Sequence, residues 1–243
     1  MIRRKVPRGN ACWSLVKAKT KTLVCENAQG NLGVFSQWAT AKAYLCEQDA
    51  VLARLFELNP QPPQRLLGVF EGLLHAIVSQ QISNKAAYRL WQKVENLRAE
   101  GESLLEAFQK EGFGGLDGIG LSRTKLATIE SVVSKFETGE WTEESLTQMS
   151  DEALLKTLTN VKGIGPWSAH SVLIFGLGRP DVCPLDDLGI RTALEKHYVS
   201  LQNAVFSTRT ERNKAVKLIV GNWAPYRTVA TLVLWHSLGN APQ

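Results

Sequence analysis

Methionine, cysteine and histidine are scarce in this chain of 243 residues, which holds two, four and four of them. Cys12, Cys25, Cys46 and Cys183 are widely scattered and form no C-x-x-C pair, so no zinc site is expected from them. His75, His170, His197 and His236 are equally dispersed, and neither a structural metal nor a cofactor is expected. No stretch approaches the roughly 20 uninterrupted apolar residues of a membrane-spanning helix, so a membrane is not an expected partner. The basic start, Met1-Ile2-Arg3-Arg4-Lys5-Val6-Pro7-Arg8, lacks the apolar run of a secretory signal, and a cytoplasmic location is expected. Strand-like alternation is essentially missing after residue 36, and no fixed-period repeat or low-complexity tract appears.

What is present is an ordinary globular composition, 44% hydrophobic and 21% charged, with enough chain for a sizeable core. The net charge of +5 is unevenly placed. Residues 1–35 carry seven Lys/Arg against the single acid Glu26, whereas the remainder carries twenty-one basic and twenty-two acidic groups. A basic leader of this kind either contacts nucleic acid, in a salt-dependent and sequence-blind manner, or serves as a solubilising tail. Within residues 1–36, short apolar runs such as Thr22-Leu23-Val24-Cys25 fit two short strands or an irregular arm.

From Gln37 the pattern is helical. Apolar residues at helical spacing predict a helix over 39–58, stopped by Asn59-Pro60, and Pro62-Pro63 mark a linker. Further helices are predicted over 67–78, from Ser83 onward, and over 103–111, 122–137, 143–160, 166–177, 188–198, 207–222 and 226–237. The expected fold is all-α with about ten helices.

The most particular stretch is Val161-Lys162-Gly163-Ile164-Gly165-Pro166-Trp167-Ser168-Ala169. Two glycines around Ile164 permit a tight turn, and Pro166 suits a first helical position, where its missing N–H costs nothing. The turn then presents unpaired N–H groups at a helix N-terminus, which suits an anion, and Lys162 adds charge. Val161 and Ile164 would anchor the turn in the core. The alternative is an ordinary corner between two helices. Twenty residues after Trp167 stands Asp187, beside Asp186, ahead of a predicted helix that either could cap. Backbone donors and the helix dipole at such a position favour a carboxylate's charged form.

Hairpin, carboxylate and spacing together resemble the helix-hairpin-helix DNA glycosylases, and within them the alkylation-repair branch of the 3-methyladenine DNA glycosylase II type. The similarity runs over about four-fifths of the chain. It includes Gly115-Leu116 through Leu121-Ser122 to Lys125, and Trp223-Ala224-Pro225-Tyr226-Arg227-Thr228. The resemblance implies two helical subdomains, near 65–120 and 121–222, with a cleft between them. The N- and C-terminal helices of a domain over 37–243 would pack together, with the leader 1–36 outside it. It implies a monomer acting on double-stranded DNA that contains damaged bases.

The family's D-x-x-[IV]-x pattern falls on Asp187-Leu188-Gly189-Ile190-Arg191, making Asp187 the expected catalytic carboxylate and Asp186 a cap or support. In bifunctional relatives a lysine lies two positions after the second hairpin glycine; here Trp167 stands there, so hydrolysis without strand cleavage is implied. The cysteine run of iron–sulfur relatives is absent. Trp167 and Trp235 match tryptophans that line a base pocket, or else are core aromatics. Ser171 and His236 fall at pocket positions where bulkier residues or Tyr occur in relatives. Val161, Lys162, Gly163, Ile164, Gly165 and Ser168 are the expected DNA-gripping hairpin. Gln80-Gln81-Ile82-Ser83 matches the Q-x-[VI]-S loop, with Gln81 as the wedge that fills the gap left by a flipped base, or else merely ends a helix. The implied activity is excision of alkylated purines. Excision of deaminated or oxidised bases, or non-catalytic DNA binding, are the alternatives.

Overall fold

The computed structural model describes residues 32–202 and 208–239. Residues 1–31, and with them most of the basic leader and its expected strands, lie outside the described residues. Among those described, the regular elements are helices and no strand occurs. After a 3-10 turn at Gly33–Gln37 come α1 (Trp38–Gln48), α2 (Ala50–Phe56), α3 (Gly68–Ser79), α4 (Asn84–Glu95), α5 (Leu104–Glu111) and α6 (Arg123–Glu137). They are followed by α7 (Glu143–Thr147), α8 (Asp151–Thr159), α9 (Pro166–Ser171), a π-helical turn at Val172–Gly176, and α10 (Leu188–His197). Last are α11 (Val199–Gln202), α12 (Arg209–Gly221) and α13 (Arg227–Ser237).

The helix boundaries follow local chemistry. Ser83, Ser103, Ser122, Ser150 and Thr208 each turn a hydroxyl onto a backbone N–H of the first turn they precede. The helix expected over 39–58 is two helices, because Asp49 takes extended backbone and its Oδ1 accepts from Val51 N and Leu52 N, starting α2 afresh. The helix expected over 143–160 likewise breaks at Ser150, which caps Ala153 N, while Arg179 donates to the carbonyls of Thr147 and Met149 there. Residues 166–177 start as expected but widen into the π turn. The short α11 carries no periodic signal of its own.

Two helices are apolar nearly all round, which marks them as axial. In α3, Val69, Phe70, Leu73, Leu74, Ala76, Ile77 and Val78 are all buried; in α13, every residue from Thr228 to Trp235 is. α3 packs against α4, α6, α7, α9 and the π turn, whereas α13 packs against α1, α2 and α10. Val34 and Phe35, at the end of the leader, already belong to the core, and Val34 N donates to Gly178 O at 2.9 Å. Asp49 also ties distant segments: its Oδ2 accepts from Tyr198 OH at 2.7 Å and Trp223 Nε1 at 2.8 Å.

The start of α3 is capped from elsewhere. Leu67 offers no side-chain cap, and the Glu143 carboxylate accepts from Val69 N and Phe70 N at 2.8 and 2.7 Å. Burial holds the Glu143 carboxyl above the usual range, although both N–H bonds oppose that shift. One turn along, α3 crosses the π turn backbone to backbone. A Cβ on Gly176 would lie 2.5 Å from Gly68 O, and one on Gly72 would lie 3.4 Å from Gly176 Cα. Gly176→Ala must therefore push α3 from the π turn, and we expect it to lower unfolding free energy by about 2 kcal/mol in urea titrations.

Candidate active site

Between α3 and α4 on one side and α9, the π turn and α10 on the other lies a cleft of about 1120 Å³. Of the large hydrophobic side chains exposed among the described residues, Ile82, Tyr88, Trp167 and Leu188 all line this one cleft. Clustered exposed apolar groups mark a binding surface, unlike singly scattered ones.

Asp187 lines the cleft at the N-terminus of α10. Its Oδ1 accepts from Ile190 N at 2.8 Å, which makes it the helix cap, and from Trp235 Nε1 at 2.9 Å. Its Oδ2 takes no hydrogen bond from the described residues. Capping and a functional role are therefore compatible: one oxygen orients the group and the other remains available. Asp186 is exposed and does not cap α10. Gly189 makes the arrangement possible, since a Cβ there would lie 2.9 Å from Asp187 Oδ1 and 3.2 Å from the Trp235 ring.

The two tryptophans differ in their surroundings. Trp167 is 38% exposed on the cleft wall, with its ring open to a ligand. Trp235 reaches the cleft but is only 7% exposed; it stacks on Phe175 at 6.0 Å and spends its N–H on Asp187. Ser171 lines the cleft one turn after Trp167 and donates its hydroxyl to Trp167 O at 3.0 Å. His236 is a correction: it is not among the cleft-lining residues, and its Nε2 meets Leu58 O at 3.3 Å. Successive residues of α13 point about 100° apart, so only Trp235 of the pair can face Asp187.

Sequence reasoning missed several wall residues, among them Phe175, His75, Tyr88 and Lys85. Phe175 follows Trp167 and Ser171 at the four-residue spacing of one helical face, a signal that was available. His75 lies on α3, edge-on to Trp91 at 5.0 Å. Burial, aided by the positive charge of Arg65, lowers its pKa to about 4, so it is neutral near pH 7. One turn on, Ser79 Oγ is buried without a hydrogen-bond partner among the described residues.

The hairpin between α8 and α9 closes with Ile164 N donating to Val161 O at 3.0 Å. Val161 and Ile164 are buried at 6% and 4%, so their side chains anchor the turn and cannot contact DNA directly. Lys162, Gly163 and Gly165 are exposed. Ser168 departs from expectation, since its hydroxyl is buried and accepts from Gln80 Nε2 at 2.9 Å. Gln80 thus points at the hairpin, also donating to Gly163 O at 2.9 Å. Gln81 is exposed in the cleft with φ +55°, and Ser83 caps α4 through Ala86 N.

The two hairpin glycines differ. Gly163 has φ +97°, and a Cβ on it would lie 2.0 Å from Thr128 Oγ1, whereas a Cβ on Gly165 meets nothing within 4 Å. Gly163→Ala should cost about 3 kcal/mol in thermal or urea unfolding, and Gly165→Ala less than about 0.5 kcal/mol. Equal effects at the two positions would contradict this geometry.

Comparison with known proteins places this geometry in a family. The family described as HhH-GPD superfamily base excision DNA repair protein matches residues 74–219. A DNA-3-methyladenine glycosylase of Schizosaccharomyces pombe is 30% identical over 168 residues, covering 68% of this chain and 71% of the relative. A putative DNA-3-methyladenine glycosylase of Bacillus subtilis is 29% identical over 195 residues, which is 77% of this chain; the chain spans 65% of that relative's length. The structure of the Schizosaccharomyces pombe 3-methyladenine DNA glycosylase in complex with abasic DNA superposes with a TM-score of 0.68 at 28% identity, covering 84% of this chain and 98% of that one. The match over 74–219 runs from within α3 to within α12 and takes in the hairpin and Asp187, and the chain is a member of the HhH-GPD superfamily of base excision DNA repair proteins.

Proposed function

We infer that the chain is a DNA glycosylase that excises alkylated purines, of the 3-methyladenine and 7-methylguanine type, by hydrolysis in base excision repair. The observation that carries this reading is Asp187. It is the one carboxylate among the described residues lining the cleft, held by two donors on Oδ1 and without a protein donor on Oδ2. The relatives named as DNA-3-methyladenine glycosylases support the same chemistry.

Breaking the bond between base and sugar develops positive charge at C1′ of the deoxyribose. A carboxylate beside it stabilises that charge, and its available oxygen orients the incoming water and accepts the proton that water sheds. Water then supplies hydroxyl to C1′, and the base leaves with the bonding electrons. An alkylated purine is cationic and leaves as a neutral base, so strong protonation of the leaving group is not needed.

The rest of the cleft suits a cationic base. Trp167 offers an indole face for stacking and cation–π attraction. His75, held neutral, adds no repelling charge to the wall. Ser171 leaves space where relatives carry bulkier residues, which favours a broader range of bases. Exposed backbone at Gly163 and Gly165, with Lys162 beside them, supports a grip on a DNA phosphate flanking the flipped nucleotide. A monomer is proposed as the acting form, since one chain supplies Asp187, Trp167 and the hairpin to the same cleft.

Trp167 stands where lyase relatives carry lysine, and among the described lining residues the cleft has one amine, Lys85, in the first turn of α4. On methylated duplex DNA, Asp187→Asn should lose at least about 100-fold in base release while binding is retained. Wild-type product strands should break only after alkali; breakage without alkali would identify an amine nucleophile, with Lys85 first to be tested. Binding without any base release would leave either a DNA-binding module or a glycosylase for another lesion. Trp235→Phe keeps the stacking with Phe175 but removes the donor to Asp187, and kcat should fall about tenfold with KM little changed.

A further inference from the structure

The helix α6 touches neither Asp187 nor the pocket aromatics through any hydrogen bond, yet it reaches both DNA-facing loops. Lys125 Nζ donates to Val78 O and to Gln80 O, each at 2.8 Å, at the C-terminal end of α3. One turn further along α6, Thr128 Oγ1 donates to its own Thr124 O and lies 3.3 Å from Lys162 O of the hairpin. Gln80 closes the triangle by donating to Gly163 O and Ser168 Oγ. The loop between α3 and α4 is thereby fixed at Gln80 from two sides and at Ser83 by its cap on α4. Only Gln81 and Ile82 lie between, both exposed, with Gln81 in the left-handed backbone region that a residue with a Cβ rarely adopts.

We propose that Lys125 is a positioning residue for the wedge: it pins the Gln80 carbonyl so that Gln81 projects into the cleft before DNA arrives, at a fixed distance from the hairpin. This rests on the glycosylase reading above and adds a residue outside the cleft lining to it. A terminal helical carbonyl lacks an intrahelical partner, and a cation at that end of α3 also meets the favourable side of its dipole. Burial lowers the Lys125 pKa, in keeping with an amine drawn partly out of water to make two carbonyl bonds. A wedge set in advance loses less conformational freedom on binding than one that must order around the DNA. Because Lys125 and Thr128 lie one turn apart on the same helix, the spacing between wedge and phosphate grip is set by α6 and not by the loops themselves.

The test separates wedge placement from chemistry. The full chain is titrated onto a duplex carrying a tetrahydrofuran abasic analogue opposite 2-aminopurine, whose fluorescence reports disturbance of the orphaned base. The wild type should change the signal, and Lys125→Met should reduce that change at least about fivefold at saturation, as Gln81→Ala does, with low-salt affinity within about twofold. Lys125→Arg, which keeps a cationic donor, should recover most of it. The double variant K125M/Q81A should lose no more than either single one, since both act through the same side chain. Excision of 7-methylguanine should fall about tenfold from duplex but little from a single strand, where no partner base needs support.

A wild-type fluorescence change in Lys125→Met overturns the proposal, and so does an equal loss on duplex and single strand, which marks a purely structural lysine. Absence of any change with the wild type removes Gln81 as the wedge and overturns it as well. If the wild type disturbs 2-aminopurine but releases no base, the excision reading fails while the positioning role of Lys125 stands. Should Lys125→Met not fold, Gln80→Met cuts the same loop from its hairpin side and is read by the same signals.

Discussion

The arrangement of the cleft depends on how closely α3 and the α9–π segment can cross. Gly176 lies against the Gly68 carbonyl, where an added Cβ would come within 2.5 Å of the oxygen, and Gly72 faces the Gly176 Cα at van der Waals distance. Each of these segments ends in a functional loop. α3 delivers Gln80 to Ser83, and α9 begins at the hairpin that holds Gly163 and Gly165. Backbone contact in the core therefore brings the two segments together, and the α6 side chains Lys125 and Thr128 reach the loops at their ends. Rigid interiors transmit such constraints because they are densely packed and repack at a cost.

A second economy concerns polar groups. Few polar side chains near the cleft do one thing only. Asp187 caps α10 and stands ready for chemistry; Trp235 packs in the core and donates to Asp187; Ser168 is buried and receives Gln80. Apart from Ser79 Oγ, the buried side-chain polar atoms among the described residues have partners, which keeps the site in one geometry. Trp167 and Gln81 are left uncommitted, and these are the side chains proposed to meet DNA. The cleft thus combines a fixed rear wall with an exposed aromatic and an exposed amide at its mouth.

Much of this was legible in the sequence. The hairpin, its glycine pair, the helix starts at Ser83, Ser103 and Ser122, and the all-α class follow from local rules of turn, cap and periodicity. Asp187 was distinguishable from Asp186 only through the resemblance, since both precede the same helix. The broken helices at Asp49 and Ser150 were misread because apolar periodicity continues across them, while the cap that restarts each helix is a single side chain. His236 was placed in the pocket through the resemblance, at a position where Tyr occurs in relatives. Helical rotation turns it instead towards Leu58.

By itself, the sequence determined most of the helical segments, where the glycine hairpin lies and that no amine occupies the position of Trp167. These are matters of short-range chemistry, fixed by residues within a few positions of one another. Only the tertiary structure decided that Trp235 holds Asp187, that Gly189 must be bare, that His75 is neutral, and that Lys125 bonds a carbonyl 45 residues away. Each depends on groups brought together across the core, where burial, donor geometry and van der Waals distance act between segments that the chain order keeps apart.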